Sequence, residues 1–322
     1  MNKNPEVSVI IPVYNEEDYL EGCLKSLLKQ TFPTDKMEWI IVDAGSTDAT
    51  PNILARYRDK GPFVILSNPG RATPSSLNVA IKMAKGRYIV RLDAHSEYPD
   101  DYIARNIENL EQQNADNAGG VFAVHGVGKI GSAFASVLSS PFGAGGAQFR
   151  SAKHSGFVDT VPYGTWRREL FDRIGLFDEE LVRSEDNDMN HRIHAAGGRI
   201  YLDADLHINY YCRDTLRSVM KVGLNNGNAL FFTARKNPSA MQLRHYVPFA
   251  FLSSLIGLGC GALYLPVCRK LLTAELSSYI LLDVLYSMKN IRTAPVTLWL
   301  YPLFHLSYGL GSALGLAGIK LY

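Results

Sequence analysis

The feature that most constrains this chain is a regular alternation, over its first two-thirds, of short apolar runs with stretches of helical spacing. Residues 7–13, VSVIIPV, form a nearly continuous apolar run of the kind that fills a strand buried on both faces. Residues 16–30 follow, with Leu20, Leu24, Leu27 and Leu28 on one helical face. WIIVDA, at 39–44, predicts a second strand, and residues 46–58 a helix that opens on a capping side chain. The pattern repeats as a strand at 63–66, a helix at 74–85 with Pro74 near its first turn, and a fourth strand at 88–92 that ends in RLDAH. A helix at 100–113 and a fifth strand at 119–124, GGVFAV, complete it. Strands alternating with helices imply a mainly parallel sheet with helices on both faces. Ligands of such sheets gather at the carboxyl ends of the strands. Asp43 and Asp93 both fall at such ends.

The composition shifts near Tyr246. Three apolar stretches follow it, residues 246–268, 271–288 and 294–319. The first and third contain no Asp, Glu, Lys or Arg, and each exceeds the ~20 residues a helix needs to cross a bilayer. The middle one is shorter and carries Glu275 and Asp283, so it spans, re-enters or lies at the surface. With three spans, Arg235, Lys236, Arg244, Lys289 and Arg292 stay on the near side and Arg269, Lys270 and Lys320 on the far side. Positive residues favour the cytoplasmic side, so the sequence favours three spans and a C-terminus across the membrane. The N-terminus, MNKNPEVSVIIPVYNEE, has no signal-peptide core, so the first part of the chain is expected to stay where it was made. A net charge of +2 gives no sign of a broad nucleic-acid-binding surface, and no nucleic-acid partner is expected. Cys23, Cys212, Cys260 and Cys268 show neither CxxC spacing nor a disulfide framework, which fits free thiols in a reducing compartment.

Three groups of residues carry chemistry. Asp43 ends an apolar strand and leads into Ala44-Gly45-Ser46-Thr47-Asp48. Its carboxylate suits a base edge in a crevice, but an aspartate there is equally a turn former. In Arg91-Leu92-Asp93-Ala94-His95, one carboxylate and one imidazole two residues apart make a partial site for Mg²⁺ or Mn²⁺ that diphosphate oxygens would complete. Alone, that pair reads sooner as a turn with a surface histidine. Ser184-Glu185-Asp186-Asn187-Asp188 opens a helix at 189–196. Acids at a helix start are favourable in themselves, but these also supply the general base that the first two groups lack.

Other patterns argue by exclusion. Gly257, Gly259 and Gly261 form GxGxG inside an apolar stretch, where close helix packing is expected rather than phosphate binding. No GxGxxG follows the first strand, and neither GxxxxGK[ST] nor GxSxG occurs. His207 reads as a solvent-exposed histidine before it reads as a ligand.

The ordered set Ser8-Val9-Ile10-Ile11-Pro12-Val13-Tyr14-Asn15-Glu16, Val42-Asp43-Ala44-Gly45-Ser46-Thr47-Asp48, Leu92-Asp93-Ala94-His95 and Glu185-Asp186 resembles family 2 glycosyltransferases. Tyr163-Gly164-Thr165-Trp166-Arg167-Arg168-Glu169 and Ile174-Gly175-Leu176-Phe177-Asp178-Glu179 look like that family's segment before its Glu-Asp motif, so the likeness runs over roughly residues 5–217. The DAH variant, the Arg213–Arg217 pair and the apolar tail are similar to succinoglycan-type bacterial exopolysaccharide enzymes.

The resemblance implies an α/β GT-A fold, Rossmann-like, over residues 1–240, and membrane-anchoring helices over 241–322. It implies transfer of a hexose with inversion, the donor being a nucleotide diphosphate sugar, UDP-glucose by the narrower likeness. The acceptor would be a lipid-linked saccharide at the bacterial inner membrane, with the catalytic part cytoplasmic. By the match, Pro12, Tyr14, Glu16, Asp43 and Arg71 line the nucleotide pocket, Asp93 and His95 meet Mg²⁺ or Mn²⁺, and Asp186 is the base with Glu185 beside it. Arg213, Arg217 and Trp166 are the candidates for phosphate or acceptor contact, the two arginines being equally ordinary surface charge. The family usually shows Asp-x-Asp where this chain has Asp93-Ala94-His95, and an imidazole brings no negative charge to a metal. The Gln-x-x-Arg-Trp of processive members is absent, which implies one sugar added per encounter. A metal-dependent nucleotidyltransferase is the rival reading, but it would carry a glycine-rich loop where PVYNEE stands. A non-catalytic membrane scaffold would not need Asp43, Asp93, Glu185 and Asp186 together.

Overall fold

The computed structural model describes residues 5–69 and 72–321. The chain divides into two compact units. The first runs to Ala123 and adds Ser151–Tyr211; the second is Val124–Arg150 and the chain from Cys212 on.

The first unit opens with the expected alternation: β1 (Val7–Val13), α1 (Leu20–Leu28), β2 (Met37–Asp43), α2 (Thr50–Tyr57), β3 (Phe63–Ser67), α3 (Thr73–Met83) and β4 (Tyr88–Arg91). Then come β5 (Ser96–Glu97), α4 (Tyr102–Gln112) and β6 (Asn117–His125). The chain passes through α5 (Gly128–Leu138) and α6 (Pro141–Ala144) in the second unit. It returns as β7 (Gly156–Phe157), β8 (Thr165–Arg167), α7 (Leu170–Ile174), α8 (Glu185–Ala195) and β9 (Ile200–Tyr211).

The sheet has the order β3-β2-β1-β4-β8-β6-β9-β5, with β7 also on β9. Strands β3, β2, β1 and β4 are parallel, and helical crossovers between parallel strands cover both faces. Val9, Ile10, Ile11, Ile40, Ile41 and Val90 are accordingly buried, which is why these runs read as continuous rather than alternating. β8 is antiparallel to both β4 and β6. The fifth strand expected from the sequence is thus present as β6, but a three-residue strand stands between it and β4. β9, IYLDADLHINYY, alternates buried and more exposed positions along part of its length and carries β5 and β7 antiparallel.

Register aligns the carboxyl ends. Val13 lies opposite Asp43, Asp43 opposite Ser67, and Ile10 opposite Arg91. The loops after β1, β2 and β4 therefore open at one edge of the sheet. At the start of β1 a buried polar plug fixes the strand: Ser8 Oγ donates to Glu38 Oε1 at 2.6 Å, and the backbone N–H groups of Lys85 and Gly86 donate to Glu38 and Ser8. Every buried polar group there has a partner, so the burial carries no desolvation penalty left unmet.

The second unit is helical. Besides α5 and α6 it holds α9 (Leu216–Lys236), α10 (Leu243–Ala262), α11 (Pro266–Ser287) and α12 (Ala294–Leu316). α9 and α12 pack closely through small residues. A Cβ on Gly227 would fall on Tyr308 O, one on Gly311 on Leu224 O, and one on Gly315 within 2.4 Å of Asn228 O. Glycine alone allows backbones that near.

Among the described residues α10 is the one helix long and apolar enough to cross a membrane, with 20 residues and a mean hydropathy of 1.3. The sequence offered three candidates. α11 loses apolar character to Arg269, Lys270, Glu275 and Asp283, and α12 to its tyrosines, His305, serines and glycines. In the GxGxG stretch, Gly261 packs on Cys268 of α11, whereas Gly257 and Gly259 have nothing within 4 Å, so close packing accounts for one glycine of the three.

Candidate active site

The loops after β1 and β2 are laced together. Asn15, at φ 53°, accepts from the Thr47 N–H at 2.8 Å and donates its own N–H to Ser46 Oγ at 3.0 Å. Glu16 N–H donates to Thr50 Oγ1, and Glu17 Oε2 accepts from Ala49 N–H. Asp43 Oδ1 accepts from both the N–H (3.0 Å) and the hydroxyl (2.7 Å) of Ser46. One carboxylate oxygen of Asp43 thus closes its own turn, the role an aspartate commonly takes there. Pro12 is half-buried and Tyr14 is 39% exposed beside this loop pair.

The loop after β4 is organised by a charge that ends an apolar strand. Arg91 is 2% exposed, and its guanidinium meets three carboxylates: Asp186 Oδ1 at 2.6 Å, Glu185 Oε1 at 3.1 Å and Asp93 Oδ1 at 3.3 Å. Glu185 and Asp186 arrive on the first turn of α8, which starts after Ser184 at φ 66°. α8 is held in place by Asn190, which accepts from Asn117 Nδ2 and donates to Thr160 Oγ1 and Val161 O. The Arg91 N–H donates to the carbonyl of Gly164, and its guanidinium lies 5.6 Å from the Tyr163 ring.

One cation faces three acids in this cluster, and a carboxyl largely withdrawn from water in that setting holds its proton more tightly. Burial pushes the Asp186 carboxyl up to about 7; Arg91 opposes the shift, while Glu185 and Asp93 add to it. Arg91 loses hydration, yet the same three acids hold it firmly protonated. A carboxyl poised near neutrality beside permanent charges has the proton affinity that general-base work needs.

His95 Nδ1 lies 3.2 Å from Glu16 Oε1, an electrostatic contact rather than an aligned hydrogen bond. Its ring meets the Tyr210 ring edge-on at 5.4 Å. The loops after β1 and β4 therefore touch through two residues that the sequence assigned to different ligands. Among the described residues no group of three or more His, Cys, Asp or Glu is arranged to hold a metal. Asp93 and His95 supply one carboxylate and one imidazole, and Arg91 engages Asp93 through Oδ1. This donor set fits an ion that takes its remaining ligands from diphosphate and water, as Mg²⁺ sites often do, and does not fit an all-protein cage.

Comparison with known proteins settles the family. The model described as glycosyl transferase family 2 matches residues 8–175, more than half of the chain. The chain belongs to that family. The succinoglycan biosynthesis protein ExoA of Rhizobium meliloti (strain 1021) is 30% identical over 247 residues, 75% of this chain and 74% of that protein. A dolichyl N-acetyl-alpha-D-glucosaminyl phosphate 3-beta-D-2,3-diacetamido-2,3-dideoxy-beta-D-glucuronosyltransferase of Methanococcus voltae is 28% identical over 262 residues, 78% of this chain and 80% of that protein. A solved mannosyltransferase from Pyrobaculum calidifontis, in complex with GDP-Man and Mn²⁺, has a TM-score of 0.62 at 20% identity, over 94% of this chain and 87% of that one. The chain is a glycosyltransferase enzyme that uses a nucleotide sugar, with a GT-A type fold.

Within this family 2 glycosyltransferase, the candidates Pro12, Tyr14, Glu16, Asp43, Asp93, His95, Glu185 and Asp186 all belong to the first unit. Arg71 lies outside the described residues. Trp166 is 1% exposed and packs edge-on against Phe171 and Phe177 in the core. Arg213 and Arg217 are exposed and belong to the second unit, around the Thr215 cap of α9. His207 is exposed. The sequence reading missed Arg91, although a signal was present: an arginine inside an apolar strand must be paired to be buried. It also missed Ser46 and Asn15, the two residues that fix the Asp43 turn.

Proposed function

We propose that this glycosyltransferase moves a hexosyl group, glucose from UDP-glucose, onto a lipid-linked saccharide in bacterial exopolysaccharide or cell-envelope glycan synthesis. The reaction is one inverting displacement. The Asp186 carboxylate takes the proton of the acceptor hydroxyl as that oxygen attacks the anomeric carbon, and Arg91, itself paired with Glu185, holds it in place. Asp43, Pro12, Tyr14, Glu16 and Arg71 contact the nucleotide. Asp93 with His95 would hold Mg²⁺ or Mn²⁺, which when bound would supply positive charge against the diphosphate leaving group. Arg213 and Arg217 meet phosphate or acceptor. Residues 1–240 form the catalytic part, facing the cytoplasm, and 241–322 anchor it to the inner membrane.

The observation that carries this reading is the Arg91-centred trio, in which burial raises the Asp186 carboxyl to about 7. The ExoA relationship supports the exopolysaccharide setting, the dolichyl phosphate named for the archaeal relative supports a lipid-linked acceptor, and α10 supports an anchor. The test incubates membranes holding the protein with UDP-glucose, other nucleotide sugars, a lipid-linked saccharide pool and Mg²⁺ or Mn²⁺. UDP release with glucose incorporated into lipid-extractable material is expected; incorporation from another nucleotide sugar alone rejects the donor, and no incorporation from any rejects the reaction.

A further inference from the structure

Among the described residues, four other than glycine hold a left-handed backbone: Asn15, Asn114, Tyr163 and Ser184. Asparagine enters that region readily, and Ser184 is the cap residue of α8. A bulky aromatic does not, and such strain persists where the surroundings over-determine it, above all at functional sites. Resting on the proposed role of Asp186 as base, we infer that Tyr163 is a positioning residue: its left-handed turn, tied to Ser96 and set beside the Arg91 guanidinium, holds the Arg91–Asp186 pair in place for proton transfer.

The turn is pinned on both sides. Before it, Val161 O accepts from Asn190 Nδ2 at 3.1 Å, and Asn190 stands one turn beyond Asp186 on α8. After it, Gly164 O accepts from the Arg91 N–H at 3.0 Å, and the Thr165 N–H donates to Asn117 Oδ1 at 3.2 Å. Residues 161–165 are thereby fastened both to α8, which carries the proposed base, and to β4, which ends in Arg91. The ring of Pro162 restricts its own φ, so the left-handed step falls to Tyr163, at φ 63°, and to Gly164, at φ 96°.

Three parts of Tyr163 then face the cluster. Its backbone N–H interacts with the Asp186 carboxyl and favours the ionised form. Its ring lies under the Arg91 guanidinium, 5.6 Å from ring centroid to cation, where the aromatic face attracts positive charge. Its hydroxyl shares a hydrogen bond with Ser96 Oγ at 3.0 Å, and both side chains are buried. Ser96 opens β5 directly after Asp93-Ala94-His95, and the rings of Phe122 and Tyr98 pack against Tyr163 at 5.3 and 6.3 Å. At 5% exposure Tyr163 acts through its neighbours rather than on the acceptor. A residue that leaves the left-handed region carries its N–H and its ring away from Asp186 and Arg91, and a misplacement of ~1 Å can cost ~10² in rate.

The test is a double-mutant cycle on the full chain, read as kcat at saturating nucleotide sugar and as nucleotide-sugar Kd. Tyr163→Val is β-branched and disfavours the left-handed backbone, so kcat should fall by up to ~10² while Kd stays at the parent value. Tyr163→Gly adopts that backbone freely and should keep more kcat than Tyr163→Val, although it fills less of the core; a residue that only fills space would give the reverse order. Because Tyr163 acts through Asp186, adding Tyr163→Val to Asp186→Asn should lower kcat no further. Additive losses, the reverse order, or parent kcat in Tyr163→Val overturn the inference and leave Asp186 as the base. Parent kcat in Asp186→Asn overturns the base and the inference with it. Tyr163→Phe keeps ring and backbone, and carries the test should Tyr163→Val not bind the donor: its kcat should fall severalfold, Ser96→Ala should match it, and the two together should add nothing. Parent kcat in both of these variants overturns the inference.

Discussion

Arg91 Nη1 lies 2.6 Å from Asp186 Oδ1, joining residues 95 positions apart. The last residue of a central strand thereby bonds the first turn of α8. Because Arg91 also holds Asp93, the proposed donor end and the proposed base share one cation. The first prediction concerns that cation. Arg91→Met leaves three carboxylates without their buried partner, and breaking a buried pair in this way costs about 3–5 kcal/mol. Arg91→Lys keeps the charge and loses the fork, so it should cost less. Denaturant midpoints of the three proteins check this; equal midpoints would remove Arg91 from any organising role.

Asp186→Asn should lower turnover by at least ~10² while nucleotide-sugar binding survives, because proton transfer is lost and the donor contacts are not. Single-turnover kinetics and calorimetric titration with the nucleotide sugar separate the two. Near-normal turnover would assign the base elsewhere.

The raised proton affinity of Asp186 also sets a pH dependence. A base works deprotonated, so kcat/KM should fall as pH drops through about 7. Glu185→Gln removes a negative neighbour and should move that limb to lower pH. Stability runs the other way. A carboxyl whose folded value is raised favours the folded state below its unfolded value, and that contribution is lost as pH rises through about 7. Asp186→Asn should therefore gain Tm relative to the parent at pH 8 and not at pH 5. A pH-independent difference would count against the shift.

Much of this was legible in the sequence, and what was not has physical causes. β1, β2 and β4 could be read because a strand buried on both faces is apolar throughout. β5 and β8, of two and three residues, are too short to show any period, yet β8 is what turns the sheet antiparallel. The separate motifs at Asp93 and Glu185-Asp186 were visible, but nothing local shows that Arg91 bonds across 94 and 95 residues to join them. The apolar tail showed that three helices follow, although the first expected stretch, 246–268, runs over the turn between α10 and α11; the Asn228 and glycine contacts that bind α12 to α9 depend on pairing between helices far apart in the chain.

Metal dependence is predicted to run through Asp93. Asp93→Ala should abolish the activity that Mn²⁺ supports, since the diphosphate loses its clamp. His95→Asp restores the carboxylate pair usual in the family and should change the ratio of Mg²⁺ to Mn²⁺ activity. The same change also places a carboxylate near Glu16 Oε1, 3.2 Å from the present imidazole, so His95→Gln is the control for packing. Full activity in EDTA would reject the metal, and an unchanged ratio in His95→Asp would leave Asp93 as the sole protein ligand.

The last prediction separates two roles of Asp43. Its Oδ1 is engaged by Ser46, so Asp43→Ala removes both a turn and any base contact, and a raised KM alone could come from either. Ser46→Ala deletes the hydroxyl bond to Asp43 Oδ1 and the one from the Asn15 N–H, while keeping the carboxylate and the Ser46 backbone bond. If the carboxylate reads the base, Asp43→Ala should raise the nucleotide-sugar KM more than it lowers kcat, since base contacts are present before and during reaction alike. Ser46→Ala should then change KM much less, because the carboxylate that meets the base and its bond from the Ser46 N–H both remain. Asp43→Asn adds a further arm: it preserves a turn-forming oxygen but replaces a charged acceptor with an amide, so its KM should stay close to that of Asp43→Ala. Equal KM shifts for Asp43→Ala and Ser46→Ala, with Asp43→Asn near the parent, would show that Asp43 serves the turn and that the nucleobase is read by other groups in the loop.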